Sequence, residues 1–196
     1  MDKSLPLGIA LILGVVAPAS AGGPPMRIDD FEDLDLEAAP GLSWMIIGDG
    51  QLGGASGVTI DVVRLPAGDR SRGALRLEGH LRKGAPVPFA GVWTALRGDG
   101  LLHDVTGYRG LRFWVRGTPG RYLAGVRRTE GKSSANLMAP FEVTAAWARV
   151  DVAFSSLVQT PPGKTALAFA PSGVGWLGFT TSDGSPRDFQ MDIDDV

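Results

Sequence analysis

The chain predicts an all-β fold, an antiparallel β-sandwich, on three observations. Apolar side chains recur at every second position, turn signals fall at short intervals, and no 3.6-residue apolar period persists for three turns. In ALRLEGHLR, Leu75, Leu77 and Leu81 take one side and Arg76, Glu78, His80 and Arg82 the other. LRFWVRG sets Leu111, Phe113 and Val115 against Arg112, Trp114 and Arg116. ARVDVAF puts Val150, Val152 and Phe154 on one face, and DFQMDID does the same with Phe189, Met191 and Ile193. Half-buried strands give this alternation because successive side chains point to opposite faces of a sheet. RGDG, RGTPG, TEGK, TPPGK, APSG and SDGSP break the chain between such runs. Many short strands punctuated by Gly and Pro belong to sandwiches or barrels rather than to sheets alternating with helices.

The first 21 residues read as an address. Lys3 precedes an apolar run from Leu5 to Val16, and Ala19, Ser20 and Ala21 follow, the layout of a secretory signal cleaved after Ala21. The run is short for a bilayer of about 30 Å, and no later run approaches the length of a membrane span. The expectation is an exported protein, periplasmic or extracellular, with residues 22–196 forming a single domain. A domain of that size buries roughly 70% of the surface its unfolded chain exposes and needs no covalent staple. The chain has no cysteine, which excludes disulfides, a thiol nucleophile and a cysteine-borne lipid.

Charge is uneven along the chain. Asp29, Asp30, Glu32, Asp33, Asp35 and Glu37 crowd the start, Asp192, Asp194 and Asp195 the end, and the stretch from Arg64 to Arg128 is basic. The arginines of that stretch read first as solvated teeth of strand faces; no nucleic-acid partner is expected. Catalysis finds little support: His80 lies on the polar side of a strand, and His103 beside Asp104 has no serine in a G-x-S-x-G context. Two histidines without cysteine fall short of a zinc site. The expectation is not an enzyme.

Binding has a candidate surface. Trp114 shares a strand face with Arg112 and Arg116, and Trp93 shares parity with Arg97 in GVWTALR; Tyr122 and Arg127 in RYLAGVRR extend the patch. Aromatic rings stack on the C–H faces of sugars while guanidinium forks bond hydroxyls or carboxylates. Trp44, Trp147 and Trp176 read as core or rim packing.

Gly48, Gly50 and Gly53 in GDGQLGGASG spell G-x-G-x-x-G, but the strand-like GVTIDVV follows where a dinucleotide site needs a helix. The same loop resembles the D-x-x-M-G-G-x-S signature of the complex I intermediate-associated protein 30 family, with Asp49, Gly53, Gly54 and Ser56 matching and Leu52 in the methionine's place. DDFED with Trp44, DVTGYRGLRFWVRGTPGRYLAGVR, WARVDVAFSSL and the closing FQMDIDDV are similar to that family's segments in the same order. The resemblance implies a galactose-binding-like jelly roll, and the frame of DDFE with IDDV is also similar to family 11 carbohydrate-binding modules. It implies a non-catalytic role in binding a protein or glycan partner, assembly or chaperone-like work included, or alternatively a stand-alone carbohydrate-binding module. In such sandwiches the first and last strands run close together, and an acid from each often holds a structural calcium ion, here Glu32 and Asp194.

Overall fold

The structure is a computed structural model, and it describes residues 24–39, 42–99, 101–163, 166–181 and 185–196, with the side chain of Gln51 left aside. The leader expected over residues 1–21 lies outside the described residues. Among the described residues every regular element longer than a single 3-10 turn is a strand. The strands are β1 (Met45–Gly48), β2 (Gly57–Arg64), β3 (Gly73–Leu81), β4 (Ala90–Ala95), β5 (Gly110–Gly117) and β6 (Gly120–Glu130). They continue with β7 (Ser133–Val143), β8 (Ala148–Ala153), β9 (Val158–Gln159), β10 (Val174–Thr181) and β11 (Arg187–Asp194). All pair antiparallel, as a six-stranded sheet β1-β4-β10-β6-β7-β9 facing a five-stranded sheet β2-β3-β11-β5-β8. This is the antiparallel sandwich the alternation predicts, with the jelly-roll fold the family resemblance implies.

The core is the pair of inner faces. Phe113 on β5 meets Phe179 on β10 and Phe141 on β7 edge to face, with centroids 4.8 and 5.0 Å apart. Leu75, Leu77, Met191 and Ile193 from the five-stranded sheet and Val92, Val126, Leu137 and Leu177 from the six-stranded sheet are buried with them.

The Gly-rich loop turns a corner. The fully buried Asp49 sits in a 3-10 turn after β1; its Oδ1 accepts from the Ser56 amide (3.0 Å) and its Oδ2 from the Phe89 amide (3.2 Å). The loop is thereby tied to the segment that enters β4. Gly53 has φ +77°, which the backbone reserves for glycine, and a Cβ on Gly54 would lie 2.2 Å from the Asp49 Cγ, so the buried carboxylate demands the second glycine. The chain ends close the sandwich: Ile28 N–H donates to the Val196 carbonyl and Val196 N–H to the Asp29 carbonyl, both at 2.8 Å. Asp29, buried beneath this contact, accepts from the Phe31 amide and from Trp44 Nε1, each at 2.8 Å. Burial pushes its carboxyl up to about 6 in spite of those bonds.

Candidate binding surface

The two outer faces differ in kind. Strand register on the five-stranded sheet lines up Asp61, Arg76, Asp192 and Arg116 in one row. Asp192, fully buried at the centre, accepts from Arg76 Nε (2.7 Å) and Nη2 (2.9 Å) and from Arg116 Nε (3.0 Å). The loop between β2 and β3 folds over this row. Its Asp69 accepts from Arg116 Nη1 (3.0 Å) and Trp147 Nε1 (2.8 Å), and its Arg70 guanidinium lies 4.2 Å from the centroid of the Trp114 ring. Arg116 in turn stacks on Trp147 at 4.7 Å. The Arg70 amide, the Arg116 charge and the Trp147 indole hold the Asp69 carboxyl below the usual carboxylate range.

Trp114 and Arg116 therefore point away from the core, as the alternation requires, but another part of the chain already occupies them. Arg112 is exposed on the same strand and donates from Nε to Asp151 at 2.6 Å. Glu32 and Asp194, the acids expected to hold calcium, flank that same loop. Asp194 Oδ2 accepts from Arg70 Nε (2.8 Å) and Ser71 Oγ (2.6 Å), its Oδ1 from the Asp195 amide (2.7 Å), and Glu32 Oε1 accepts from the Arg72 amide (2.8 Å). Burial pushes the Asp194 carboxyl up against the Ser71 and Arg70 bonds. Donors, one of them a guanidinium, face these oxygens, and the set does not fit a hard cation. Among the described residues no group of three or more His, Asp or Glu side chains is arranged to hold a metal ion.

The remaining expected contacts lie on the other sheet. Tyr122 belongs to the core: it is fully buried, its hydroxyl donates to the Thr118 carbonyl (2.9 Å), and its ring packs against Phe141 and Phe189. Tyr122 and Arg127 are five positions apart on one strand, so they must face opposite ways. Trp93 and Arg127 reach the outer face of the six-stranded sheet, on the far side of the sandwich from Trp114. The expected patch is thus divided between two surfaces.

On this second face the register aligns Met45, Trp93, Gly178, Gly125 and Met138, and beside them Ala95, Trp176, Arg127 and Asn136. The Trp93 ring lies across Gly178, where a Cβ would come within 2.5 Å of it, and only 6% of Trp93 is exposed. Trp176 is the residue the sequence pattern hides. The register slips between Val174 and Trp176, so that Val174 is buried in the core while Trp176, two residues on, pairs with outward-facing Arg127 and stays half-exposed. The glycines around it, in VGWLG, are the only trace of this bulge in the sequence. Arg127, its register partner, lines a cavity of about 270 Å³ together with Ser134, Asn136, Gln159, Thr160 and Pro161. Arg127 Nη2 donates to Ser134 Oγ (3.2 Å), which leaves other donors of its guanidinium fork to the cavity.

Comparison with known proteins places the fold and the family. The structure is similar to the family 11 carbohydrate-binding module of the cellulosomal cellulase Lic26A-Cel5E of Clostridium thermocellum, at 15% identity over 90% of this chain and 94% of that one, with TM-score 0.61. A family 11 module from Clostridium thermocellum in complex with a β-1,3-1,4-mixed-linked tetrasaccharide aligns with TM-score 0.58, at 13% identity over 86% and 91% of the two chains. A family 30 carbohydrate-binding module aligns with TM-score 0.53, at 20% identity over 70% and 71%. Identities this low establish a shared fold. No curated protein matches the chain in sequence. The sequence profile of the complex I intermediate-associated protein 30 family matches residues 30–193, from the acidic start to the last strand, and the chain belongs to that family.

Proposed function

We propose that the protein is an exported, non-catalytic binding domain that recognises a glycan chain on the outer face of its six-stranded sheet, with Trp176, Arg127 and Asn136 as principal contacts. The observation that carries this reading is the partly buried, outward-facing Trp176 in register with Arg127, which lines a polar cavity of about 270 Å³. An indole ring offers a flat apolar surface to sugar C–H groups, and the guanidinium and carboxamide beside it suit hydroxyls. Family membership and the module-like fold support binding without catalysis. The signal-like sequence layout of residues 1–21 supports export.

Electrophoresis in gels containing mixed-linkage β-glucan tests the glycan. Wild-type protein and Trp114→Ala are expected to be retarded alike, and Trp176→Ala to run free. Equal migration of wild type and Trp176→Ala would sink the assignment. Export is tested by the mass of the mature N-terminus: a start near Gly22 supports it, and an intact Met1 overturns it.

A second reading, a protein partner, is favoured by the family itself and by exposed Met45, Ile46 and Leu52 at and just beyond edge strand β1. Co-purification of one protein in stoichiometric amount, lost in Ile46→Lys but kept in Trp176→Ala, would select it.

A further inference from the structure

We infer that a groove in the five-stranded sheet receives an extended peptide, which adds as a strand to the open half of β5. The argument starts from incomplete pairing. β8 pairs with β5 from Gly110 to Val115, but β11 pairs with it only from Trp114 to Gly117. The β11-side edge of Gly110–Phe113 therefore has no strand beside it among the described residues. β11 leaves because Asp195 takes φ +50°, in the left-handed region, and Val196 turns aside to bond Ile28 and Asp29. Ile193 is the last inward residue of β11, opposite Val115. A strand continuing its line would next point inward opposite Phe113 and then opposite Leu111.

At that place the sandwich is open, with a cavity of about 410 Å³. Val126 and Leu177 of the opposite sheet line it together with Leu96 just beyond β4, and so do Leu111 and Phe154. Met26 and Val196, from the paired chain ends, line the other side. Unpaired strand backbone next to an apolar well specifies the occupant's chemistry: ladder bonds from its main chain, and apolar side chains at alternate positions with polar ones between them. Arg27 and Arg112 line the mouth. Each is engaged by one acid, Asp30 and Asp151, yet a guanidinium carries five N–H donors, so an acidic residue flanking the apolar pair completes the match. The partner is a strand-forming peptide, two apolar residues one position apart with a carboxylate beside them, running antiparallel to β5 as β11 and β8 do.

The probe is an octapeptide alternating leucine and threonine with a glutamate at each end, titrated into the full chain and into protein trimmed to residue 22. Saturable binding with slowed amide exchange across Gly110–Phe113 is expected. N-methylation of alternate backbone nitrogens on the ladder side should weaken binding at least tenfold, and so should Arg112→Glu, an exposed change with little bearing on folding. A peptide with terminal lysines in place of glutamates should regain affinity for Arg112→Glu. Val126→Phe, which fills the well, should abolish binding while leaving migration in glucan gels unchanged. N-methylated and unmodified peptides binding alike, or exchange protection elsewhere than β5, would overturn strand addition. Binding of peptides with their leucines adjacent as tightly as alternating ones would overturn it too, as would saturation by dodecanoate vesicles in place of the peptide. Binding by neither form of the chain refutes the proposal outright.

Discussion

One outer face of this sandwich is closed by charge and the other is left open by glycine. On the five-stranded sheet, Arg76, Arg116 and Asp69 surround or bridge to a buried Asp192, and Arg70 covers Trp114. On the six-stranded sheet, Gly178 leaves room for the ring of Trp93, and a bulge delivers Trp176 to the outer face. Tryptophan beside arginine occurs on both, so that composition alone does not separate them. The difference lies in whether the partners are intramolecular. A guanidinium bonded to a buried carboxylate and stacked on an indole is already engaged, whereas the Trp176 ring, in register with the Arg127 that lines a polar cavity, has contacts still to make.

The largest test of this contrast is on the closed face. Asp192→Ala leaves two arginines without their carboxylate and should cost about 3–5 kcal/mol, read as a lower urea midpoint. Replacing Asp192, Arg76 and Arg116 together by leucine and methionines should recover most of that loss. If the single change proves neutral, the network is surface decoration and the face is not closed by it.

Asp29 tests how burial alone treats an acid, outside both faces. Its folded value near 6 stands above the ordinary 3.8, so the ionised form is disfavoured in the folded protein. Its contribution to stability is whole below pH 4 and is lost as the pH rises to about 6, a fall on the order of 3 kcal/mol. Asp29→Asn resembles the protonated acid and should flatten urea midpoints across that window relative to wild type. Equal slopes in the two proteins would refute the assignment.

On the open face, Gly178→Ala drives a methyl group into the Trp93 ring and should cost about 1–3 kcal/mol as well as glucan retardation. Trp114→Ala removes the stack under Arg70 and should cost about 1 kcal/mol with retardation intact. The smallest expected effect is that of chelation: with donors facing Asp194 and Glu32, exhaustive removal of calcium should leave the Tm where it was. A clear fall in Tm would restore the ion.

The same contrast explains what the sequence disclosed. Every run read by alternation, ALRLEGHLR, LRFWVRG, ARVDVAF and DFQMDID, became a strand of the five-stranded sheet, whose outer face is polar, and so did the strand-like GVTIDVV. Along β4 and β10 the outward positions of the six-stranded sheet hold Gly, Ala, Trp and Thr rather than charged side chains, so these strands lack the polar beat that makes a face legible. Trp114 was legible as outward-facing because local parity decides it. Its cover was not, because Arg70 arrives from a loop that precedes β3. The fate of Asp194 was hidden in the same way, since its partner is 124 positions away. Trp176 escaped for a different reason: a register slip leaves the letters on either side unchanged.

That slip carries a lesson for comparing members of this family. Removing Gly175 would take out the unpaired residue and set Trp176 directly after Val174, with the ring still opposite Arg127 on the outer face and no other amino acid altered. Register with Arg127, rather than spacing from Val174, is then the mark by which relatives that display the ring can be told from those that bury it.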